Sequence, residues 1–251
     1  MGTLRALLWD VDGTIAETER DGHRVAFNVA FKEFSLPWRW DTDTYGRLLR
    51  ITGGRERMLH DFESRSEAPQ SLSERERLAS ALHRRKNELY AQIVCRGEIE
   101  ARPGVRRLIE QAHAQGLPQA IVTTTSRSNV KALLGGMLGD QWESHFAAVI
   151  CGEDVENKKP DPEVYLKALA ALGVSPGDAL AMEDSAPGLA AARAAGVPAV
   201  ITRSIYFANS DFTGALAVMD DLDHGDAQTP GPVTLAALAA RHATWNAPIP
   251  V

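Results

Sequence analysis

Several features that would send a protein to a particular place or partner are missing from this sequence. Its 251 residues include two cysteines, Cys95 and Cys151, and no CxxC pair. That excludes a disulfide framework and a thiolate zinc site, and predicts two free thiols in a reducing compartment. No run of about 18 apolar residues is available for a membrane span. The opening segment MGTLRALLWDVDGT runs straight into a strand-like stretch, without the charged start, long apolar run and cleavage site of a secretory signal. Blocks of one charge sign are absent too. The 27 Lys and Arg are interspersed with 33 Asp and Glu, for a formal net charge of −6. A nucleic-acid partner held on a broad basic face is therefore not expected. The expectation is a cytoplasmic protein, a monomer, with neither a nucleic-acid nor a membrane partner.

What is present is an ordinary globular composition, 44% hydrophobic and 24% charged, in a chain long enough to bury a substantial core. Leu4 to Asp10 is a short apolar run that fits a buried parallel strand. It ends in the acidic turn Asp10-Val11-Asp12-Gly13-Thr14. From about Glu17 to Tyr90 the spacing is helical and the charge high. Ser35-Leu36-Pro37, Thr52-Gly53-Gly54 and Ala68-Pro69-Gln70-Ser71 mark loops there, so this stretch reads as a bundle of about four helices.

Beyond Arg102 the pattern alternates. Helices are predicted over 105–114, 129–138, 162–172 and 187–195, and strands over 117–123, 146–151, 179–182, 199–202 and 215–219. Alternation of this kind implies an α/β fold: a doubly wound, Rossmann-like parallel sheet with a helical bundle inserted after its first strand. The predicted division is a core of 1–16 and 92–251, with 17–91 as a separate helical unit. The tail from Gln228 is rich in Pro and Ala, and no role is assigned to it.

Ligands of open α/β sheets bind at the carboxyl ends of the strands. The residues following each apolar run are Asp10 and Asp12, Thr123-Thr124-Thr125-Ser126, Lys158-Lys159-Pro160 and Glu183-Asp184. Singly, each has an ordinary reading. Asp-x-Asp is frequent in turns, a Thr run at a strand end serves turn hydrogen bonds, Lys159 could be a solvated surface lysine, and Glu183-Asp184-Ser185 could cap a helix. Together at one sheet edge they form a chemical set. The carboxylates suit a hard cation such as Mg²⁺, the lysine and backbone amides suit phosphate oxygens, and paired acids suit nucleophilic attack and proton transfer.

On these motifs the sequence resembles the haloacid-dehalogenase superfamily of phosphohydrolases. Asp10-Val11-Asp12-Gly13-Thr14 is similar to its DxDGT motif, Thr123 to the hydroxyl ending the second motif, Lys159 to the third-motif lysine, and Glu183-Asp184 to the acidic fourth motif. The helical insertion falls where this superfamily places a small cap. Ala16-Glu17-Thr18-Glu19, Trp38-Arg39-Trp40-Asp41, the segment from Thr52 to Arg57, Arg102-Pro103-Gly104-Val105 and Thr123 to Ser126 resemble the CbbY-type phosphatases of the Calvin cycle. These remove the C1 phosphate of xylulose 1,5-bisphosphate, an inhibitor of Rubisco. Arg85-Lys86-Asn87 resembles a cap segment of the β-phosphoglucomutases. Two departures stand out: the run through Asp21-Gly22-His23 is one residue longer than usual, and Val122 replaces a frequent Ala.

The resemblance implies a Mg²⁺-dependent hydrolase of a small phosphorylated sugar. Asp10 is the nucleophile and Asp12 the proton carrier. Asp10, Asp12 through its carbonyl, Asp184 and Glu183 make the metal site, Glu183 by positioning a metal-bound water. Thr123, Thr124 and Lys159 hold the phosphoryl group. In the cap, Thr18 lies near the hinge, while His23, Gly53, Gly54, Arg55 and Lys86 face the rest of the substrate. A sugar-phosphate mutase would share the same centre. A dehalogenase would not need Asp12, a non-catalytic sensor would be expected to lose one of the two aspartates, and a dinucleotide-binding protein would show GxGxxG after the first strand.

Overall fold

The alternating part of the chain forms one parallel six-stranded sheet in the computed structural model, which describes residues 3–97 and 99–245. In chain order the strands are β1 (Ala6–Trp9), β2 (Gln119–Val122), β3 (Ala148–Ile150), β4 (Ala179–Glu183), β5 (Ala199–Thr202) and β6 (Ala217–Met219). Their spatial order is β3-β2-β1-β4-β5-β6, so the chain reverses direction across the sheet at β1. Such a switch point opens a crevice at the carboxyl end of the central strand.

Alternation of side chains sorts the strands onto two cores. Leu7 and Trp9 of β1 join Ile121, Leu180 and Met182 on one face, beside α5 (Val105–Ala114) and α6 (Arg127–Leu138). Ala6 and Leu8 join Ala120, Val122, Ala181 and Ile201 on the other, beneath α7 (Glu163–Leu172) and α8 (Ala186–Ala194). Burial on both faces explains why these strands read as continuous apolar runs.

Between β1 and α5 lie α1 (Arg24–Glu33), α2 (Thr42–Leu48), α3 (Gly54–Glu63) and α4 (Leu72–Cys95), preceded by a π-helical turn at Glu19–His23. This insert has its own aromatic centre. The ring of Trp40 packs 4.7 Å from Phe27 and 4.9 Å from Phe31, and Trp38 packs 5.0 Å from Phe62. The two ends of the insert meet at the core: Ala16 bridges Ala101, and Arg102 N donates to Ile15 O at 2.8 Å.

Four of the strands, β1, β2, β3 and β6, are shorter than their apolar runs. A 3₁₀ turn, Trp142–His145, precedes β3. The end of the chain holds regular structure. β7 (Gly225–Asp226) and β8 (Thr229–Pro230) pair antiparallel, and α9 (Leu235–Trp245) follows. Thr234 Oγ1 caps α9 by accepting from Ala237 N at 3.2 Å, and Leu235, Leu238 and His242 bury one side of it. The last residues of the tail, 246–251, lie outside the described residues.

Candidate active site

The carboxyl ends of β1, β2 and β4 bring Asp10, Thr123 and Glu183-Asp184 together, and the loop after β3 carries Lys159 to them. Lys159 Nζ lies 2.6 Å from Asp10 Oδ1, 2.6 Å from Glu183 Oε1 and 2.9 Å from the carbonyl of Val122. An ammonium has three protons, and each has an acceptor here. Burial alone would strip the charge from Lys159, but the two carboxylates outweigh it and raise its pKa. This lysine is a fixed cation at the centre of the site, not a solvated surface group.

Asp10, Glu183 and Asp184 are all buried, and each can offer an oxygen within 4.8 Å of the others. Burial pushes Asp10 up to about 7 despite Lys159, and burial with the neighbouring Asp10 and Glu183 raises Asp184 well above the carboxylate range. Charges crowded in this way, all on oxygen donors, fit a hard divalent cation. The surroundings hold the cluster tightly. Gly13 has φ +92°, and a Cβ there would lie 2.1 Å from Asp184 Oδ2; at Gly188 it would lie 1.9 Å from Glu183 Oε2. Ser185 Oγ accepts from Gly188 N at 3.2 Å, so the expected capping of α8 coexists with the acidic pair.

Asp12 has a different setting. His23 Nε2 stands 2.9 Å from its Oδ1, and Thr18 Oγ1 donates to the same oxygen. Burial acts to raise this carboxyl, yet His23 and Thr18 together hold it well below the usual range. Both contacts occupy Oδ1, which leaves Oδ2 for other work. The extra residue before His23 is absorbed by the π-helical turn, in which Arg24 N bonds to Glu19 O five residues back. Gly22 lets this turn pack closely, because a Cβ would come within 2.6 Å of Ile99 and 2.9 Å of Tyr90.

A cavity runs from this centre into the insert. Its inner end is lined by Asp10, Asp12, Thr123, Thr124, Lys159 and Asp184, and its outer end by His23, Gly53, Gly54, Arg57, His83 and Lys86. Lys86 is buried, with Nζ 5.0 Å from the Phe27 ring and 3.3 Å from Asn87 Oδ1. Burial lowers its pKa to about 8, against the pull of Asp12 and Glu19. Arg55 is not part of this cavity. It is partly exposed in an outer groove, near Ser80 and 3.9 Å from Glu76.

The sequence reading gave no role to five residues here, Glu19, Tyr45, Arg57, His83 and Tyr165. Arg57 is buried, donates to Tyr45 Oη at 2.8 Å and lies 3.8 Å from Glu19; Tyr45 in turn donates to Glu19. Met58 and Phe62 mark the buried side of α3, and Arg57 and Asp61 share it, so the apolar spacing carried a signal for Arg57 over Arg55. His83 lies one turn before Lys86 on α4, and burial followed by Lys86 and Lys158 lowers its pKa to about 3. Tyr165 of α7 donates to Glu183 Oε1 at 2.6 Å. Nothing in its sequence context distinguishes it from a core tyrosine.

Comparison with known proteins identifies the family and the fold. Residues 4–196 match the profile of haloacid dehalogenase-like hydrolases. Protein CbbY encoded on a plasmid of Cupriavidus necator is 43% identical over 240 residues, covering 96% of this chain and 93% of that protein. Protein CbbY of Rhodobacter capsulatus is 44% identical over 212 residues, covering 84% and 91%. The crystal structure of a CbbY variant from Rhodobacter sphaeroides in complex with xylulose 1,5-bisphosphate superposes with a TM-score of 0.82 at 38% identity, over 87% of this chain and 94% of that one. With the match spanning nearly the whole chain, this protein belongs to the haloacid dehalogenase-like hydrolases and is a phosphatase of the CbbY type.

Proposed function

We propose that the protein converts xylulose 1,5-bisphosphate to xylulose 5-phosphate and phosphate, through a phosphorylated Asp10. The observation that carries this reading is a cavity with a lysine at each end, Lys159 beside the nucleophile and Lys86 in the insert. Two cations suit a sugar that carries two phosphates, and the relative with this ligand supports the choice of sugar.

In the first step an Asp10 oxygen attacks phosphorus and the bond from phosphorus to the sugar O1 breaks. Asp12, which His23 and Thr18 hold as a carboxylate in the free protein, takes up a proton when substrate binds and gives it to that oxygen. In the second, water attacks the phosphoryl group, Asp12 takes its proton, and phosphate leaves with Asp10 restored. His23 and Thr18 fix Asp12 for both transfers. Lys159, Thr123 and the amide of Thr124 neutralise the transferring oxygens, the kind of preorganised stabilisation that dominates such reactions. Asp10, the Asp12 carbonyl, Asp184 and Glu183 would hold Mg²⁺, which when bound neutralises phosphoryl charge. Glu183 also accepts from Lys159 and Tyr165, so it aligns the lysine as well. The helical insert serves as the cap, with His23, Lys86, Arg57, Gly53 and Gly54 facing the sugar and its far phosphate.

The test is phosphate release from xylulose 1,5-bisphosphate with Mg²⁺, beside ribulose 1,5-bisphosphate and β-glucose 1-phosphate. Strong selectivity for the xylulose compound is expected. Turnover of β-glucose 1-phosphate to an isomer without loss of phosphate would replace this reading with a mutase.

A pH dependence follows from Lys86. Its charge in the free protein is present below about pH 8 and lost above it. KM for the bisphosphate should therefore rise above pH 8, by up to about tenfold per pH unit if the charge is essential. A substrate lacking the far phosphate should show no such rise, and equal profiles for the two would remove Lys86 from that role.

A further inference from the structure

The insert and the core also meet at a contact that the chemistry above does not use. Glu56 of α3 and Lys158, in the loop after β3, form an ion pair of 2.8 Å across 102 positions of sequence. The pair lies directly over Gly53, where a Cβ would come within 2.3 Å of Glu56 Oε2 and 2.6 Å of Lys158 Nζ. With φ +88°, Gly53 takes a left-handed backbone that a larger residue would resist, and this lets the two charged groups settle against the chain. Glu56 is tuned toward its charged form: burial raises its carboxyl, but Lys158 outweighs this and lowers it.

The placement matters because Lys158 immediately precedes Lys159. One residue before Gly53, Thr52 Oγ1 donates to the carbonyl of Lys159 itself. Both contacts tie the segment between α2 and α3 to the peptide that carries the central lysine. On the other side of the cavity, Asn129 Nδ2 donates to Asn87 Oδ1 at 3.2 Å, so the insert is joined to the core by polar contacts at both flanks. Glu56, Lys158 and His83 line the outer groove, and His83 lines the cavity as well.

We propose that Glu56 and Lys158 are positioning residues, whose ion pair couples closure of the insert to the placement of Lys159 against Asp10. Opening the insert breaks the pair and the Thr52 contact together, and frees the Lys159 peptide. Closing it over a substrate restores both. The proposal rests on the cap reading above but not on the identity of the sugar, so its test uses p-nitrophenyl phosphate, which carries no sugar and whose turnover still needs Lys159 placed against Asp10.

The variants are Glu56→Gln, Lys158→Met and the charge-exchanged pair Glu56→Lys with Lys158→Glu. Each single variant is expected to lower kcat by about fivefold with little change in KM, the size of one partly exposed ion pair, and the exchanged pair to recover to within about twofold. Hydrogen exchange of the amides of residues 52–57 should rise by about the same factor in Glu56→Gln, which keeps the side-chain shape, and fall back in the exchanged pair. Unchanged kcat in the single variants overturns the proposal. So does an exchanged pair as slow as either single, or faster exchange without a loss of kcat, because in that case the contact does not act through Lys159. A failure of xylulose 1,5-bisphosphate as substrate would leave all these readouts standing.

Discussion

Replacing Asp10 by Asn should reduce phosphate release by at least about 10⁴-fold, as removing a nucleophile does in enzymes that form a covalent intermediate. The amide is nearly the same size as the carboxylate but cannot form the acyl phosphate. Folding should be unaffected. In the unliganded protein Asp10 stands among like charges, which with burial raise its carboxyl to about 7. A neutral side chain relieves that crowding, while Lys159 keeps Glu183 and the Val122 carbonyl as partners. The thermal midpoint should thus stay equal or rise, measured beside the kinetics. Substantial turnover by a folded Asp10→Asn protein would remove Asp10 from the nucleophile's role and the phosphoenzyme route with it.

The largest effect on stability is expected at Arg102, which touches no substrate. This buried guanidinium donates to the carbonyl of Gly13, to Thr202 O at 2.9 Å, to Arg203 O at 2.6 Å and to Asp220 O at 2.7 Å. It ties the DxDGT loop to the ends of β5 and β6, just behind the acidic cluster. Arg102→Ala leaves these carbonyls without their donor, those of Gly13 and Thr202 in the buried interior, and should cost about 3–5 kcal/mol. For a chain of this length that is a fall in Tm of roughly 10 °C. Arg102→Lys should recover only part of it, because one ammonium cannot reach four divergent acceptors. A loss below about 1 kcal/mol in denaturant titration would show that water or a local shift satisfies the carbonyls.

Much of the catalytic centre was legible because β-strand ends are local events. Asp10, Thr123 and Glu183-Asp184 each follow an apolar run, and a parallel sheet aligns the ends of those runs. The insert was harder to read. A charged helix such as α3 shows two arginines two positions apart, which a helix turns to different sides, and only the weak apolar pair Met58 and Phe62 marks the inner one. Glu19, Tyr45 and Arg57 meet through tertiary packing of three elements, which no sequence window contains. Tyr165 reaches Glu183 from a helix whose pattern is wholly that of a core packer. In the tail, Pro230 and Pro232 hid α9, although Leu235, Leu238 and His242 already had helical spacing.

The two ends of the insert lie side by side, joined where Ala16 bridges Ala101 and Arg102 bonds to Ile15. A segment that leaves and returns at one point can be lengthened, shortened or exchanged without pulling on the strands beneath it. In this fold, reaction and selectivity are therefore separately heritable. The carboxylates and Lys159 ride on the sheet and its loops, while His23, Gly53, Gly54, Arg57 and Lys86, the groups proposed to face the sugar, ride on the insert. Grafting another insert between Ala16 and Ala101 would be a direct route to a phosphatase with the same chemistry and a different diet.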